Sequence, residues 1–536
     1  MASQGRAYLA AVLVAAMVWA AAVRAQGVEH QWYKRAHRPC MKLMEQGDYG
    51  GAAEWCRAFL DRYPQDPEAL YFLTAAYARL GRTSDAASAA RRAVDAGLPA
   101  GRFYAGPRAW FGDLTQREDF AAAFGSTPAV VHGPMIGSVT ENSARFWVRT
   151  SREAEVKAMV TPPLRLQGGL ASPTVRSTAE TNYTAVAEVT GLLPDTEYHY
   201  RVLVDGESIG VPRSRTFRTY PAGGGARFAV GFGGGAGYYP DRERVWARIA
   251  GRALSAFLFL GDNVYIDWPD STPVQRYHYY RRQSRPEFRR LVGTTPVYAI
   301  WDDHDFARND GWGGPKVEEP EWKRRVWRVF RQNWVNPSYG GGEERPGCWF
   351  RFSIADVDFF MLDGRYYRTD PRGESPSMLG PAQKRWLLDG LKASRATFKV
   401  MVTPVPMARG TKGRSPDTWD GYAEERRQIF DFLHEHRIEG VFTLAADRHR
   451  SDVWRIEREA GYDLYEFESS KLTNRHTHPT KEAALFSYNE KPSWGLLRFD
   501  TTRRDPRVTY EIVTIDGRKV HGFVLRRSRL SYDAEE

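Results

Sequence analysis

The sequence predicts a multidomain protein of the mixed α/β class, and three observations support this prediction. The chain has 536 residues, more than a single hydrophobic core usually serves. Apolar residues make up 42% of it and charged residues 26%, which excludes a disordered, collagen-like or multi-span membrane protein. The apolar pattern changes twice, from a helical period to strict alternation and then to short apolar runs separated by amphipathic stretches.

The net charge indicates the kind of partner, and the cysteine content excludes two kinds of structure. The 76 basic residues exceed the 65 acidic ones, a net charge of +11 that favours acidic partners such as phosphate esters, nucleic acid or membrane surfaces. The excess is spread over the whole chain, so we predict no specific reader of nucleic acid. Three cysteines are too few for a disulfide scaffold or a cysteine zinc cluster.

Residues 1–25 resemble a cleaved secretory signal. Arg6 precedes a 16-residue apolar run from Tyr8 to Val23, and small residues, Val23 and Ala25, stand at the cleavage positions. The run is shorter than the roughly 20 residues that a membrane-spanning helix needs. We therefore predict a periplasmic or secreted protein with no transmembrane segment after signal removal.

Residues 26–125 are predicted to be helical and repetitive. Gly47 and Gly81 are 34 residues apart, the period of tetratricopeptide repeats, which this region resembles. Cys40 and Cys56 lie eight residues on either side of Asp48, the expected helix–helix turn, so they should face each other and a disulfide is plausible. Such a region serves as a groove for a peptide or protein partner or as a packing module, and two repeats favour the packing module.

Residues 126–220 alternate between apolar and polar side chains, as half-buried strands do. Gly191 to Tyr198 resembles the corner before a late strand of a fibronectin-like or immunoglobulin-like β-sandwich. We assign this predicted domain no chemistry and expect it to support its neighbour.

The chemistry is predicted in residues 221–536, where four apolar strands each lead into acidic residues. Loops at the carboxyl ends of strands converge in α/β domains, so these carboxylates should meet. Their mutual repulsion requires cations, which indicates a metal site, and two ions are expected there. A turn, a helix N-terminus or a surface pair would explain any one segment, but four together favour the metal site. The four segments are Gly261 to Tyr265, Trp301 to Asp305, Asp363 to Arg368 and Asp447 to His449.

These segments occur in the order found in PhoD-like alkaline phosphatases and phosphodiesterases of the calcineurin-like metallophosphatase superfamily, which the chain resembles. The resemblance covers the chain from about Ala129 to the end, so the helical region lies outside it. It implies a metallophosphatase αββα sandwich over 221–536, with two metal ions, commonly iron and calcium.

The resemblance also implies residue roles. Asp262 would bridge the two ions and Tyr265 would bind a ferric ion. His304 and Arg365 would act on the phosphoryl group, Arg365 by clamping its oxygens. Further metal-ligand candidates are Asp303, Asn309, Asp447 and His449, with Asp303 and Asn309 as alternatives at the second ion. Candidates for gripping substrate are Asn263, Lys471, Asn474 and His476.

One departure from the family pattern concerns the first metal site. The first strand of the family delivers a cysteine ligand, whereas Gly233 stands at that place here. The identity of the metal pair is therefore open. The glycines that follow form either a simple tight loop or a backbone nest for phosphate.

The predicted activity is hydrolysis of a phosphate ester by a metal-activated water. A phosphomonoesterase is the leading hypothesis. The alternatives are a phosphodiesterase or phospholipase-type hydrolase, and a catalytically impaired protein that binds partners through its helical region.

Overall fold

The computed structural model describes residues 33–122, 124, 127–162, 169–209 and 215–532. The predicted signal, residues 1–25, lies outside this part of the chain. The chain divides into two compact units, one ending at Thr127 and one beginning at Pro128. Within the described residues, no helix has the length and apolar character needed to cross a membrane.

The first unit is helical. Helices α1 and α2 form one antiparallel hairpin, and α3 and α4 form another. Gly47 and Gly81 follow the first helix of each hairpin with positive φ of 75° and 73°, a conformation that glycine adopts without steric cost. The two hairpins keep the offset of 34 residues, since α2 begins at Tyr49 and α4 at Thr83. The assignment to tetratricopeptide repeats stays a prediction. The helices are α1 Arg38–Glu45, α2 Tyr49–Arg62, α3 Pro67–Arg79, α4 Thr83–Asp95, α5 Gly101–Ala105, α6 Arg108–Phe111 and α7 Glu118–Ala122.

The two cysteines of the first hairpin face each other across the α1–α2 interface. Their Sγ atoms lie 3.4 Å apart and both side chains are buried. They are free thiols in this structure, within reach of each other.

The second unit opens with two small antiparallel sheets. One has the strand order β1-β2-β6, and the other has the order β4-β3-β7-β8 with β5 paired to β3 and β9 to β7. Phe146 of β2 contacts Tyr200 of β7 at 4.7 Å between ring centroids, so the sheets share a core. The fibronectin-like assignment of this region stays a prediction. The strands are β1 Val130–Gly137, β2 Ser143–Thr150, β3 Ala154–Thr161, β4 Leu170–Ala171, β5 Val175–Ser177, β6 Thr184–Thr190, β7 Glu197–Val204, β8 Glu207–Ser208 and β9 Thr216–Arg218.

Two larger mixed sheets follow. The first has the order β12-β11-β10-β20-β21-β22 and the second the order β13-β14-β15-β16-β18-β17-β19. The strands are β10 Arg227–Gly233, β11 Ala256–Leu260, β12 Val297–Ile300, β13 Phe350–Ile354, β14 Val357–Met361, β15 Phe398–Val402, β16 Val441–Ala445, β17 Ser451–Ile456, β18 Leu464–Ser469, β19 Phe486–Tyr488, β20 Ser493–Asp500, β21 Arg507–Thr514 and β22 Lys519–Arg526. The helices are α8 Val245–Ala250, α9 Thr272–Gln283, α10 Pro286–Val292, α11 Asp303–Phe306, α12 Trp322–Arg331, α13 Gly380–Ala393 and α14 Ala423–Glu435.

The two larger sheets pack face to face through aromatic side chains. Phe499 of the first sheet lies 6.0 Å from Phe359 and 6.0 Å from Phe398 of the second. Helix α8 covers the first sheet, where Trp246 contacts Phe259. Helix α13 covers the second, where Trp386 contacts Phe360. The prediction of a mixed α/β multidomain protein is confirmed.

The four acidic segments follow strands of both sheets. Strands β10, β11 and β12 run parallel, as do β14, β15, β16 and β18. The carboxyl ends of these strands therefore point to one edge of the sheet pair. Gly234 bridges to Ser470 there and joins the two sheets at this edge.

Candidate active site

Asp262 lies at the centre of a buried cluster at this edge. It follows β11, and only 1% of its surface is exposed. Ligand atoms of Asp262, Asp303 and His304 all lie within 4.8 Å of one another. Nε2 of His449, which follows β16 in the other sheet, is 4.0 Å from Oδ2 of Asp262. Side chains from three separate segments thus meet around one carboxylate.

Tyr265 and Asn474 complete one side of the cluster. The Tyr265 hydroxyl lies 3.1 Å from Nε2 of His449 and accepts a hydrogen bond of 2.6 Å from Nδ2 of Asn474. The Tyr265 ring stacks on His304, with 4.5 Å between ring centroids. Burial and the charge of Asp262 raise the pKa of Tyr265 well above its ordinary value.

Several buried carboxylate oxygens in the cluster have no partner. Among the described residues, both Oδ atoms of Asp262 and Oδ1 of Asp303 are buried and accept no hydrogen bond. Burial, aided by the negative charges of Asp303 and Asp302, raises the pKa of Asp262 well above its ordinary value. Buried carboxylates without donors are costly unless a cation compensates them, so these oxygens fit a bound metal ion.

The backbone at the cluster is strained. Asp262, Tyr265, Asp447 and His449 have φ of 54°, 53°, 61° and 51°. Non-glycine residues rarely adopt this left-handed conformation, and such residues concentrate at functional sites. Residues in this conformation follow a strand of each of the two larger sheets.

The four residues after Trp301, which are Asp302 to Asp305, have two kinds of role: two cap a helix and two face the site. Asp302 caps α11 and forms a capping box with Asp305, whose carboxylate also accepts hydrogen bonds from the backbone of Asn263 and Val264 at 2.9 Å. Asp303 and His304 instead face Asp262. Asp302 and Asp305 thus cap the helix, whereas the site role of Asp303 and His304 stays a prediction.

His304 is held by a carboxylate that sequence reasoning missed. Its Nδ1 makes a short hydrogen bond with Asp267, which lies two residues after Tyr265. Burial acts to lower the pKa of His304, but Asp303, Asp262 and Asp267 outweigh it and raise the pKa to about 10. Nothing in the segment Ile266-Asp267-Trp268 marks Asp267, because the contact depends on how the loop folds back.

The guanidinium of Arg365 is held by carboxylates of the protein, which argues against the predicted phosphate clamp. The residue is fully buried. Its Nε donates to Asp302 at 2.5 Å, and its Nη1 and Nη2 donate to the two oxygens of Asp417 at 2.8 and 3.2 Å. A substrate phosphate would have to break these bonds. The planar guanidinium of Arg365 therefore binds carboxylates of the protein, Asp302 and Asp417.

A second acidic group adjoins the first and includes residues that sequence reasoning did not find. Ligand atoms of Asp303, Asp310 and Asp417 lie within 4.8 Å of one another. Nζ of Lys412 contacts Asp417 at 2.6 Å, and Asp310 at 2.8 Å. Asn309, the predicted ligand, is exposed, and its neighbour Asp310 faces the group instead. Lys412 and Asp417 lie in a polar loop after β15 without a distinctive pattern.

The remaining predicted residues occupy different places around the cluster. Asn263 is buried and its Nδ2 donates to Ile300 O at 2.8 Å. Lys471 is buried and its Nζ donates to Thr477 Oγ1 at 3.1 Å and to the carbonyl of Asn489. His476 is exposed, and its carbonyl oxygen lies 3.1 Å from Nδ1 of His449. Asp447, at 8% exposure, contacts Nη1 of Arg448 at 2.9 Å.

The glycine loop after β10 packs tightly and does not form a phosphate nest. The N–H groups of Gly234, Gly235 and Ala236 donate to the carbonyls of Ser469, Gly261 and Asp262 at 3.1, 3.4 and 2.8 Å. A Cβ atom at Gly233 would lie 3.1 Å from Cγ of Leu472. The tight-loop interpretation is supported, and the side chain of Leu472 fills the space next to the position of the cysteine in the family.

Comparison with known families relates this chain to phosphatases. Residues 228–503 match the family described as PhoD-like phosphatase, which is more than half of the chain. Residues 127–221 match a domain of unknown function, DUF7800. The helical unit lies outside both matches, so the predicted peptide partner gains no support.

Two relatives agree with the family match. Alkaline phosphatase D of Bacillus subtilis (strain 168) is 22% identical over 310 residues, which cover 49% of this chain and 53% of that protein. The alignment thus spans about half the length of that relative. A solved structure titled "Structure of PhoD" superposes with a TM-score of 0.61 at 18% identity, covering 73% of this chain and 89% of that one. This similarity shows a shared fold.

Proposed function

Because this chain belongs to the PhoD-like phosphatase family, we propose that it hydrolyses phosphate esters at a metal centre around Asp262. The observation that carries the proposal is the set of buried, unpartnered oxygens of Asp262 and Asp303 beside His304 and His449. Protein groups within the described residues give these oxygens no hydrogen bond, and metal ions would compensate their charge.

The proposed ligands fall on two sides of Asp262. Tyr265 and His449 would share one ion with it, since their side-chain atoms are 3.1 Å apart. Asp303 and Asp447 would hold the second ion, again together with Asp262. Iron and calcium are the proposed pair, with iron on the side of Tyr265 because a phenolate is a suitable ligand for a ferric ion. When bound, the ions would supply Lewis-acid polarisation of the phosphoryl group and of the attacking water.

His304 is the proposed proton donor. The hydrogen bond with Asp267 fixes Nδ1, so the ring presents Nε2 to the substrate. The carboxylate of Asp267, which is outside the proposed ligand set, favours the protonated imidazole, so that His304 could stabilise phosphoryl oxygens and give its proton to the leaving alcohol. Stacking on Tyr265 fixes the plane of the ring.

The other candidate residues take adjusted roles in this proposal. Arg365 positions Asp302 and Asp417 and does not touch substrate. Asn474 orients the phenol of Tyr265 through its 2.6 Å hydrogen bond. His476, exposed beside His449, is the proposed contact with the organic part of the substrate. We further propose a secreted or periplasmic protein, on the strength of residues 1–25.

The decisive experiment is Asp262→Asn with a chromogenic aryl phosphate. We expect kcat/KM to fall by about 10²–10³-fold or more, since the substitution removes the charge that both ions share. Chelator treatment of the wild type should abolish turnover, and iron with calcium should restore it. Near-normal turnover of the variant, with an unchanged circular dichroism spectrum, would contradict the proposal. Turnover of a bis-aryl phosphate, measured in parallel, distinguishes a diesterase from a monoesterase.

A further inference from the structure

The two acidic groups at the site differ in what neutralises them. The first, Asp262 with Asp303 and His304, contains three buried carboxylate oxygens that accept no hydrogen bond from the described residues. The second consists of Asp303, Asp310 and Asp417, and we name it the Lys412 cluster. By ligand spacing alone, both groups could hold a cation. The two groups differ in the cationic side chains that surround them.

Lys412 lies among the carboxylates of its cluster. Its Nζ is 2.6 Å from Oδ2 of Asp417 and 2.8 Å from Oδ1 of Asp310. It is also 3.8 Å from Oδ2 of Asp447, and only 14% of the side chain is exposed. An ammonium group has three donors and one positive charge, so it can satisfy several oxygens at once, as a bound ion would.

Arginine side chains add further positive charge on the same carboxylate. Arg365 and Arg368 each approach Oδ1 of Asp417 at 2.8 Å. The carboxylates of Asp310 and Asp417 therefore face three cationic side chains, Lys412 with these two arginines. A divalent ion placed between these two carboxylates would be repelled by the three cations and would have to displace the ammonium group.

We propose that the ammonium group of Lys412 takes the place of a metal ion in the Lys412 cluster, so that divalent cations bind only around Asp262. The inference depends on the proposed function in one respect, because it assumes that the metal centre is at Asp262. In this arrangement Lys412 neutralises Asp310 and Asp417 and excludes a further ion from between them, while Asp303, which belongs to both groups, remains available to the centre at Asp262.

The test is the number of Ca²⁺ ions bound per chain, measured by isothermal titration calorimetry and by elemental analysis after equilibration with Ca²⁺. The variant is Lys412→Gln, and the matched control is Arg414→Gln, which removes the same charge from an exposed position of the same loop. We expect the wild type and the control to bind equal numbers, and Lys412→Gln to bind one more Ca²⁺. Lys412→Arg, which keeps the charge, should match the wild type. Equal stoichiometry and affinity in the wild type and a folded Lys412→Gln variant would overturn the inference.

A second variant decides the question if Lys412→Gln does not fold. Asp310→Asn removes a carboxylate whose side chain is 43% exposed and so should be tolerated. If the cluster holds no ion, Asp310→Asn binds as many Ca²⁺ ions as the wild type; loss of one ion would refute the inference. A wild type that binds no metal under any condition would contradict the proposed function, whereas an added ion in Lys412→Gln would still support the role of Lys412.

Discussion

Replacing Arg365 by methionine tests whether this residue holds the carboxylates together or binds substrate. Arg365 and Asp302 are 0% and 1% exposed, and Asp417 is 4% exposed. Removing one partner of a buried ion pair typically costs about 3–5 kcal/mol, because the remaining charge stays buried and unpaired. Arg368 and Lys412 still contact Asp417, so we expect the lower end, about 3 kcal/mol.

The assay is equilibrium unfolding in urea, followed by tryptophan fluorescence and circular dichroism. The control is Arg372→Met, which removes a partner of Asp370 on the surface, where the Arg372 side chain is 77% exposed. The control should change the free energy of unfolding by less than about 0.5 kcal/mol. Arg365→Lys should fall between the two, because it keeps the charge but loses the planar fork.

The two roles predict different results. A positioning residue predicts a large loss of stability for Arg365→Met. A phosphate clamp predicts wild-type stability with a raised KM. Unfolding of Arg365→Met within about 0.5 kcal/mol of the wild type would refute the positioning role.

Three further outcomes are expected. Gly234→Val should lower both stability and activity, because a Cβ there would lie 2.7 Å from Cβ of Ala446. Thermal unfolding and turnover of the variant check this prediction, and a stable, active variant would contradict it. Asn474→Ala should lower kcat through Tyr265, whereas His476→Ala should mainly raise KM, and steady-state kinetics that show the reverse would argue against the assignment. The helical unit should lose stability as the pH falls below about 4, the ordinary pKa of aspartate. Burial opposes ionisation of Asp66, but the charge and hydrogen bond of His37 lower its pKa below the ordinary value, so the stabilisation is present above that pH and is lost in acid. Asp66→Asn should flatten this dependence when unfolding is followed against pH.

Local patterns in the sequence account for part of the agreement between sequence and structure. Apolar runs ending in acidic residues predict buried strands with functional carboxyl ends, and β11, β12, β14 and β16 end there as expected. The switch from helical to alternating periodicity predicts a boundary between residues 125 and 126, and the first compact unit ends at Thr127. These features follow from local physics: periodicity and strand termination are properties of neighbouring residues.

The use of each charged side chain could not be predicted in this way. Asp363 follows its strand like Asp262, yet it accepts hydrogen bonds from Trp301, Cys348 and the Arg365 backbone at 2.8, 2.9 and 2.8 Å. Asp262 accepts none among the described residues. The difference arises from donors that are distant in sequence, and only the folded chain brings them to one carboxylate and keeps them from the other.

The sequence by itself determined the coarse fold class and the family, and it predicted the segments that supply the proposed site. The tertiary structure decided which carboxylates are paired with Arg365 and Lys412 and which lack a hydrogen-bond partner among the described residues. The physical reason is that strand pattern depends on local side-chain chemistry, whereas the net charge around a buried oxygen is a sum over side chains from loops far apart in the chain.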